Sequence, residues 1–104
     1  MKIVSVSYIA KSDFAKQNQV NIKKVMADLQ KLNCPGIFYH CCLSTDGKTF
    51  RHTAFFETEE DHQILNNLDS FKNFQEELKA AGFEVPPKQE SPSLVGSSRD
   101  LFIS

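Results

Sequence analysis

Residues 37–57 read IFYHCCLSTDGKTFRHTAFFE, and this stretch decides the fold. Residues 37–44 and 49–57 are rich in aromatic and β-branched side chains, which favours two strands. The segment between them contains Asp46-Gly47. Asp-Gly in a two-residue loop is a strong hairpin signal, because both central positions of a type I′ turn need positive φ. The sequence therefore predicts an antiparallel hairpin.

The turn also predicts the register of the hairpin, because it places Thr45 opposite Lys48. The expected pairs are Leu43–Phe50, Cys42–Arg51, Cys41–His52, His40–Thr53, Tyr39–Ala54 and Phe38–Phe55. Neighbouring residues of a strand point to opposite faces, so a slip of one residue would reverse every face assignment.

The two faces of this hairpin differ in character. The more apolar face, which we expect to pack against helices, carries Ile37, Tyr39, Cys41, Leu43, Phe50, His52, Ala54 and Phe56. The other face mixes aromatic rings with an imidazole, a guanidinium, a thiol and hydroxyls, and carries Phe38, His40, Cys42, Ser44, Thr49, Arg51, Thr53 and Phe55. A partly apolar surface with a few polar groups is typical of a ligand cavity. Ser5 and Ser7 would add hydroxyls if they share this face.

Before the hairpin the pattern predicts a strand and a helix. Residues 2–10 alternate apolar side chains with serines, as a half-buried strand does. A helix then begins at Ser12 or Asp13, and Asn33 with Pro35-Gly36 ends it. Its apolar residues recur at helical spacing: Ile22, Val25, Met26, Leu29 and Leu32.

After the hairpin a second helical region is expected. Thr58 is an N-cap residue followed by three acids, and Asp69-Ser70 begins a second segment that ends at Gly82. The apolar residues of the two segments are Ile64, Leu65, Leu68, Phe71, Phe74 and Leu78. Pro86-Pro87 predicts an extended linker, and residues 91–98 predict the last strand around Leu94-Val95. The apolar tail Leu101-Phe102-Ile103 is expected to cover an edge or reach a partner.

The order β-α-β-β-α-β predicts an α+β fold of the ferredoxin-like plan, with residues 1–104 forming a single domain. Such a unit has a four-stranded antiparallel sheet with both helices on one face. The other face must be solvated and polar, or it must be covered. Its phenylalanines favour cover by a second copy of the chain, so we expect a homodimer around a sheet-lined cavity.

Composition excludes several classes of function. The 12 basic and 13 acidic residues give a net charge of −1, which argues against a nucleic-acid partner. No stretch approaches the roughly 20 apolar residues of a membrane span, so no membrane partner is expected. The alternating N-terminal strand does not resemble a signal peptide. With the odd number of three cysteines, this predicts reduced thiols and a cytoplasmic location.

The cluster His40-Cys41-Cys42 with His52 invites a test for a metal site. Consecutive strand residues point to opposite faces, so Cys41 and Cys42 cannot easily share one ion or form a disulfide. Cys41 and His52 supply only two ligands where a structural zinc site needs four, so no metal is expected. They could form a nucleophilic pair, but a thiol on a packed face is more often a small hydrophobe. His62 is expected to be exposed to solvent.

The layout resembles the antibiotic biosynthesis monooxygenase-like families of the dimeric α+β barrel superfamily. The resemblance lies in Pro35-Gly36 before the hairpin, the strand at residues 50–57, the acidic cap at residues 58–61, and residues 70–74 before the last strand. It implies a homodimer in which two sheets close into a barrel. It also implies a ligand between the sheet and the helices of one subunit, and oxidation of polycyclic aromatic compounds without metal or flavin.

The resemblance has departures that bear on function. Where many members have a tryptophan at the strand end this chain has Phe56, and the helix histidine of the family falls near Leu65. These departures count against haem degradation, which some relatives perform. The family's pocket on the helix side competes with the other face of the sheet, and its lining would then include Tyr39, Cys41 and His52. Both positions remain open at this level.

The first functional hypothesis is a cofactor-independent monooxygenase acting on a small aromatic or quinol-like compound. His40 or His52 would act as general base, and Arg51 would stabilise a developing oxyanion. No cofactor is expected. The candidate ligand-binding residues are Phe38, Tyr39, Cys41, Cys42, Thr53, Phe55, Phe56, Ser5 and Ser7. The alternatives are a non-enzymatic module that binds or senses a small apolar or aromatic ligand, and a purely structural homodimer.

Overall fold

The structure, a computed structural model, describes residues 1–102. Its elements are β1 (Lys2–Ala10), α1 (Ala15–Leu32), β2 (Ile37–Leu43), β3 (Thr49–Phe56), α2 (Glu59–Asn66), α3 (Asp69–Ala81) and β4 (Phe83–Glu90). The strands form one antiparallel sheet in the order β2-β3-β1-β4. This arrangement confirms the predicted ferredoxin-like α+β fold.

The register of the β2–β3 hairpin is the predicted one, from Phe38–Phe55 to Leu43–Phe50. β1 pairs with the other side of β3, which brings Val6 opposite His52 and Ser7 opposite Arg51. Ser5 and Ser7 therefore lie on the same face of the sheet as Arg51. The sequence alone did not decide on which face these two serines lie.

The hairpin loop differs from the predicted type I′ turn. Gly47 has a φ of 78°, but Asn33 is the one non-glycine residue with positive φ within residues 1–102, so Asp46 does not adopt that conformation. Instead the Ser44 carbonyl accepts from the Gly47 N–H at 3.0 Å, and the Asp46 carboxylate accepts from two backbone N–H groups, those of Lys48 and Thr49. The Ser44 N–H donates to the Thr49 carbonyl at 2.9 Å, so the predicted register survives the different turn.

The first helix begins later than predicted. Residues 12–14 form a turn, and α1 starts at Ala15 with Phe14 as its N-cap and no side-chain cap. It ends as expected at Asn33, whose φ of 54° is left-handed. Ile22 and Val25 bury the apolar stripe of α1 against the sheet.

The second helical region divides as predicted. The Thr58 hydroxyl accepts from the Asp61 N–H, and the Asp61 carboxylate accepts from the Thr58 N–H at 3.0 Å, which completes a capping box at the start of α2. α3 begins after Leu68 and ends at Gly82, whose φ is 82°.

The last strand was predicted wrongly. β4 runs from Phe83 to Glu90 and contains Pro86-Pro87, whereas residues 91–98 form no strand. β4 is an edge strand whose pairing with β1 shifts between Val85 and Lys88, so the two prolines lie where the ladder is irregular. Proline is tolerated at such positions because no N–H is required there.

The segment after β4 is largely exposed. The Ser91 hydroxyl donates to the Ile3 carbonyl at 3.0 Å, whereas Val95 is fully exposed. Leu101 and Phe102 are half-buried. Ile103, the third residue of the apolar tail, lies outside the described residues.

The core lies between the sheet and the helices, as the apolar face of the hairpin predicts. Its buried residues include Tyr8, Phe50, Ala54, Phe56, Val25, Leu65, Phe74 and Leu78. The opposite face, here called the outer face, is much more open: Phe38 is 46% exposed, and His40, Cys42 and Arg51 are exposed. Within residues 1–102, no helix has the length and apolar character needed to span a bilayer.

Candidate functional site

A cavity of about 490 Å³ lies between the helix-facing side of the sheet and the layer of α2 and α3. The sequence left open whether a pocket lies on the helix-facing side of the sheet or on the opposite face, and this cavity lies on the helix-facing side. Its sheet wall consists of Val4, Val6, Tyr8, Tyr39, His52, Ala54 and Phe56. Its remaining walls consist of His62, Leu65, Asn66, Phe71, Phe74, Gln75, Leu78, Lys79, Phe83, Pro87 and Gln89.

A chain of hydrogen bonds lies at the sheet wall of the cavity. The Tyr39 Oη is 2.7 Å from His52 Nδ1, and the Tyr8 Oη is 2.8 Å from His52 Nε2. The Asn18 amide donates to the Tyr8 Oη at 2.8 Å. Both ring nitrogens of His52 are therefore in contact with tyrosine hydroxyls.

Four elements contribute to this network. β1, β2 and β3 supply Tyr8, Tyr39 and His52, whose side chains share one face of the sheet, and α1 supplies Asn18. Asn18, Tyr8 and His52 are almost fully buried, at 0%, 2% and 6% exposure. Buried polar groups of this kind need partners. The network provides them for the Asn18 side-chain nitrogen, the two tyrosine hydroxyls and both His52 ring nitrogens, whereas Asn18 Oδ1 has no hydrogen-bond partner among the described residues.

Burial sets the protonation of the network. It raises the pKa of both Tyr8 and Tyr39 well above the ordinary value, although the Asn18 hydrogen bond opposes the shift at Tyr8. It lowers the pKa of His52 to about 4. All three groups are therefore neutral near pH 7, because removing water disfavours each charged form.

Two arrangements of protons satisfy these contacts. In one, Tyr8 donates to His52 Nε2 and His52 Nδ1–H donates to Tyr39, which leaves the Tyr39 proton free for a ligand. In the other, Tyr39 donates to Nδ1 and Nε2–H donates to Tyr8, so the Tyr39 oxygen can accept from a ligand. The network can thus exchange a proton with a ligand through Tyr39.

Cys41 lies behind this network. Its Sγ is 3.5 Å from His52 Nε2, and it lines a second groove of about 350 Å³ whose other lining residues belong mainly to α1 and β2. Burial raises the pKa of the thiol to about 12. The group is therefore a neutral thiol, and the contact with His52 does not produce an activated nucleophile.

Aromatic rings surround the polar groups of the cavity. His52 lies 5.4 Å from Phe74 between ring centroids, and Tyr39 meets Phe71 edge-on at 6.4 Å. Phe83 of β4 packs edge-on against Tyr8 at 5.6 Å. An apolar, aromatic lining with a few convergent polar groups suits a flat aromatic ligand.

His62 belongs to the cavity, contrary to the expectation of solvent exposure. Its ring stacks on Phe56 at 4.4 Å, its side chain is 19% exposed, and its Nδ1 is 3.1 Å from Lys2 Nζ. Asn66, one helical turn further along α2, lines the same cavity. The spacing of His62 and Asn66 in α2 was visible in the sequence, but the stacking on Phe56 was not.

The structure divides the predicted site residues between two faces. Tyr39, His52 and Phe56 line the cavity. The outer face carries the others apart from Cys41: Phe38, His40, Cys42, Arg51, Thr53, Phe55, Ser5 and Ser7. His40 and Arg51 therefore do not meet His52 in one site of the same chain.

Sequence reasoning missed several members of the site, above all Tyr8 and Asn18. The alternation of β1 identified Tyr8 as inward-facing, but only the register with β3 places it beside His52. Asn18 interrupts the apolar stripe of α1 with a polar side chain, and this was the available signal. Within residues 1–102, no group of three or more His, Cys, Asp or Glu side chains is arranged to hold a metal ion.

Solved structures with the same fold include proteins associated with antibiotic biosynthesis. A Nitrosomonas europaea protein provisionally classed as an antibiotic biosynthesis monooxygenase has a TM-score of 0.76 at 14% identity, covering 92% of this chain and 100% of its own. A protein of the same provisional class from Bacteroides thetaiotaomicron has a TM-score of 0.81 at 9% identity, covering 95% and 93%.

SnoaB from Streptomyces nogalater, a cofactor-independent oxygenase, has a TM-score of 0.66 at 9% identity, covering 95% of this chain and 96% of its own. At these identities the likeness is one of fold. It confirms the resemblance to the antibiotic biosynthesis monooxygenase-like families at that level. No protein-family model matches the chain, and no curated protein matches its sequence.

Proposed function

We propose that this chain is a cofactor-independent monooxygenase that oxidises a small aromatic or quinol-like compound in the cavity between sheet and helices. The observation that carries the proposal is the buried Tyr39–His52–Tyr8 network, whose three residues line an aromatic-walled space of about 490 Å³. Further support comes from the fold shared with SnoaB, a cofactor-independent oxygenase.

The reaction balances without an external reductant. A quinol and O₂ give a hydroxyquinone and water: one oxygen atom enters the ring and the other leaves as water, and the quinol supplies all four electrons. Loss of a proton from the quinol hydroxyl places negative charge on the ring and makes electron transfer to O₂ easier. The protein therefore has to bind the ring, remove this proton and hold the anion.

Tyr39 is the group that would touch the substrate. The substrate hydroxyl donates its proton to Tyr39 Oη while Tyr39 passes its own proton to His52 Nδ1 at 2.7 Å. The imidazolium that forms keeps its Nε2–H on Tyr8, which Asn18 holds in place. Pairing with the substrate anion compensates for the burial that disfavours a charged His52.

The outer face supports a second part of the proposal, that two copies of the chain associate through it. Phe38 and Phe55 stack there at 5.8 Å between ring centroids, and Phe38 is 46% exposed. Burial of this aromatic pair by a second copy would remove apolar surface from water. A cytoplasmic location also belongs to the proposal and rests on the pattern of cysteines.

Oxygen uptake with a panel of naphthols and quinols tests the activity. We expect wild-type protein to consume one O₂ per substrate and Tyr39→Phe to lower kcat by about 100-fold or more, because general acid–base catalysis typically contributes 10² to 10⁴. The Phe variant keeps the ring that packs on Phe71 and loses only the hydroxyl.

The same assay separates the two faces of the sheet. His52→Gln should lose activity, whereas His40→Ala should retain it, since His40 lies on the outer face. Binding of these compounds without any oxygen consumption by the wild-type protein would contradict the proposed enzyme and leave a ligand-binding protein.

A further inference from the structure

His62 is held in place by residues from three elements. Its ring stacks on Phe56 of β3, and Lys2 of β1 lies 3.1 Å from its Nδ1. The Glu59 carboxylate of α2 is 3.9 Å from both the Lys2 ammonium and His62 Nδ1. These contacts define the position and plane of the imidazole at the edge of the cavity.

The contact with Lys2 determines the tautomer of His62. An ammonium group has donors and no acceptor, so Nδ1 has to accept from Lys2 Nζ. A neutral imidazole that accepts at Nδ1 carries its proton on Nε2. Within residues 1–102, no hydrogen bond to this Nε2 is found. His62 lines the cavity, and its Nε2–H is the donor that its contacts leave for a ligand.

His62 and the tyrosine network lie at different ends of the cavity. His52 and Phe56 are four residues apart on the same face of β3, which corresponds to roughly 13 Å of strand. The network surrounds His52, whereas His62 covers Phe56. Between them the sheet presents Ala54, whose methyl side chain leaves a flat apolar floor.

We propose that His62 is a specificity-determining residue that donates a hydrogen bond to a second oxygen of the substrate. The preferred ligand is then an elongated aromatic compound with one oxygen at each end: a hydroxyl at Tyr39 and an oxygen acceptor at His62. Lys2 is a positioning residue, because it acts on the ligand only through the tautomer of His62. This inference rests on the proposed function of the cavity.

Two related probes test the inference by binding alone. 2,6-Dihydroxynaphthalene has an oxygen at each end of a fused ring system, and 2-naphthol lacks one of them. In isothermal titration calorimetry with the full chain, we expect the diol to bind about five- to 25-fold tighter. One hydrogen bond contributes about 0.5–1.5 kcal/mol, or about two- to 13-fold, and the symmetry of the diol multiplies this by two.

Matched variants assign this preference to His62. His62→Phe keeps the stacking ring and removes the donor, so the preference should fall to the symmetry factor while the affinity for 2-naphthol stays the same. His62→Gln restores a side-chain N–H and should restore part of the preference. A preference that persists in His62→Phe overturns the inference and leaves the proposed function standing. If neither probe binds the wild-type protein, the result contradicts both the inference about His62 and the proposed function of the cavity.

The role of Lys2 has its own measurement. The ¹⁵N chemical shifts of His62 report which ring nitrogen carries the proton, and we expect the Nε2–H tautomer in the wild-type protein. Lys2→Met should increase the Nδ1–H population and reduce the preference for the diol. Lys72→Met, a change at an exposed lysine of α3, should do neither. A wild-type His62 protonated on Nδ1 alone would overturn the proposed positioning.

Discussion

His52 is the residue on which the proposed proton transfer depends, and its burial decides its charge. His52 is 6% exposed and both of its ring nitrogens meet tyrosine hydroxyls. A free imidazole near its ordinary pKa would be half-charged close to neutral pH, whereas this one remains neutral down to about pH 4. Its proton-accepting nitrogen is therefore unprotonated throughout the neutral range, and in the proposed reaction pairing with the substrate anion stabilises the imidazolium.

This burial predicts a pH dependence of stability. Because the pKa of His52 is lowered from 6.5 to about 4 in the folded chain, the unfolded chain binds an additional proton between these values. The neutral, buried His52 therefore contributes fully to the free energy of unfolding above pH 6.5, and this contribution is lost as the pH falls towards 4. It corresponds to about 3 kcal/mol in the free energy of unfolding.

Urea unfolding at pH 7 and at pH 4 measures this effect. The loss of stability between the two pH values should be smaller in His52→Gln than in the wild-type protein. Equal losses in the wild-type protein and His52→Gln would contradict a buried, neutral His52.

At the scale of elements, the start of α2 is coupled to the loop before β2. The Asp61 carboxylate completes the capping box with Thr58, and it also lies directly over Gly36. A Cβ atom on Gly36 would overlap that carboxylate. A side chain at position 36 would therefore displace the Asp61 carboxylate.

This coupling predicts non-additive stability changes. Thr58→Ala should lower the free energy of unfolding by about 1 kcal/mol, because it removes an N-cap hydroxyl. Gly36→Ala should also destabilise, because Asp61 has to leave the capping box. In the double variant the two hydrogen bonds of the Thr58 hydroxyl with Asp61 are already lost, so the combined effect should be smaller than the sum of the two. Chemical denaturation of the four proteins measures the coupling, and strict additivity would contradict it.

At the scale of the whole molecule, the sheet has one covered face and one open face. Helices pack on Phe50, Ala54 and Phe56, whereas the outer face leaves Phe38 46% exposed. A stable interface typically buries about 800 Å² on each partner. A second copy that covers an area of this size on the outer face would bury the stacked Phe38 and Phe55.

The proposed association predicts a mass near twice the 11.8 kDa of the chain in light scattering at micromolar concentration. Phe38→Asp should shift the protein to the monomer mass, because it places a charge among apolar groups at the interface. Leu32→Asp changes an exposed apolar residue of α1, away from the outer face, and should leave the mass unchanged. A monomeric wild-type protein would contradict the association.

Local rules explain what could be predicted from the sequence about the fold. The hairpin register, the buried face, the end of α1 at Asn33 and the division of the second helix at Asp69 all follow from short-range patterns. β4 did not, because Pro86-Pro87 is unfavourable for a strand by local rules. Its position at the irregular edge of the sheet makes the prolines acceptable.

The sequence by itself therefore determined the order of the strands and helices and the side of the hairpin that faces the core, since both depend on periodicity and turn chemistry. Only the tertiary structure decided where the cavity lies and which side chains meet in it. Tyr8 and His52 are 44 residues apart in the chain, and His62 and Lys2 are 60 apart. Contacts at such separations depend on strand pairing and helix packing across the whole chain.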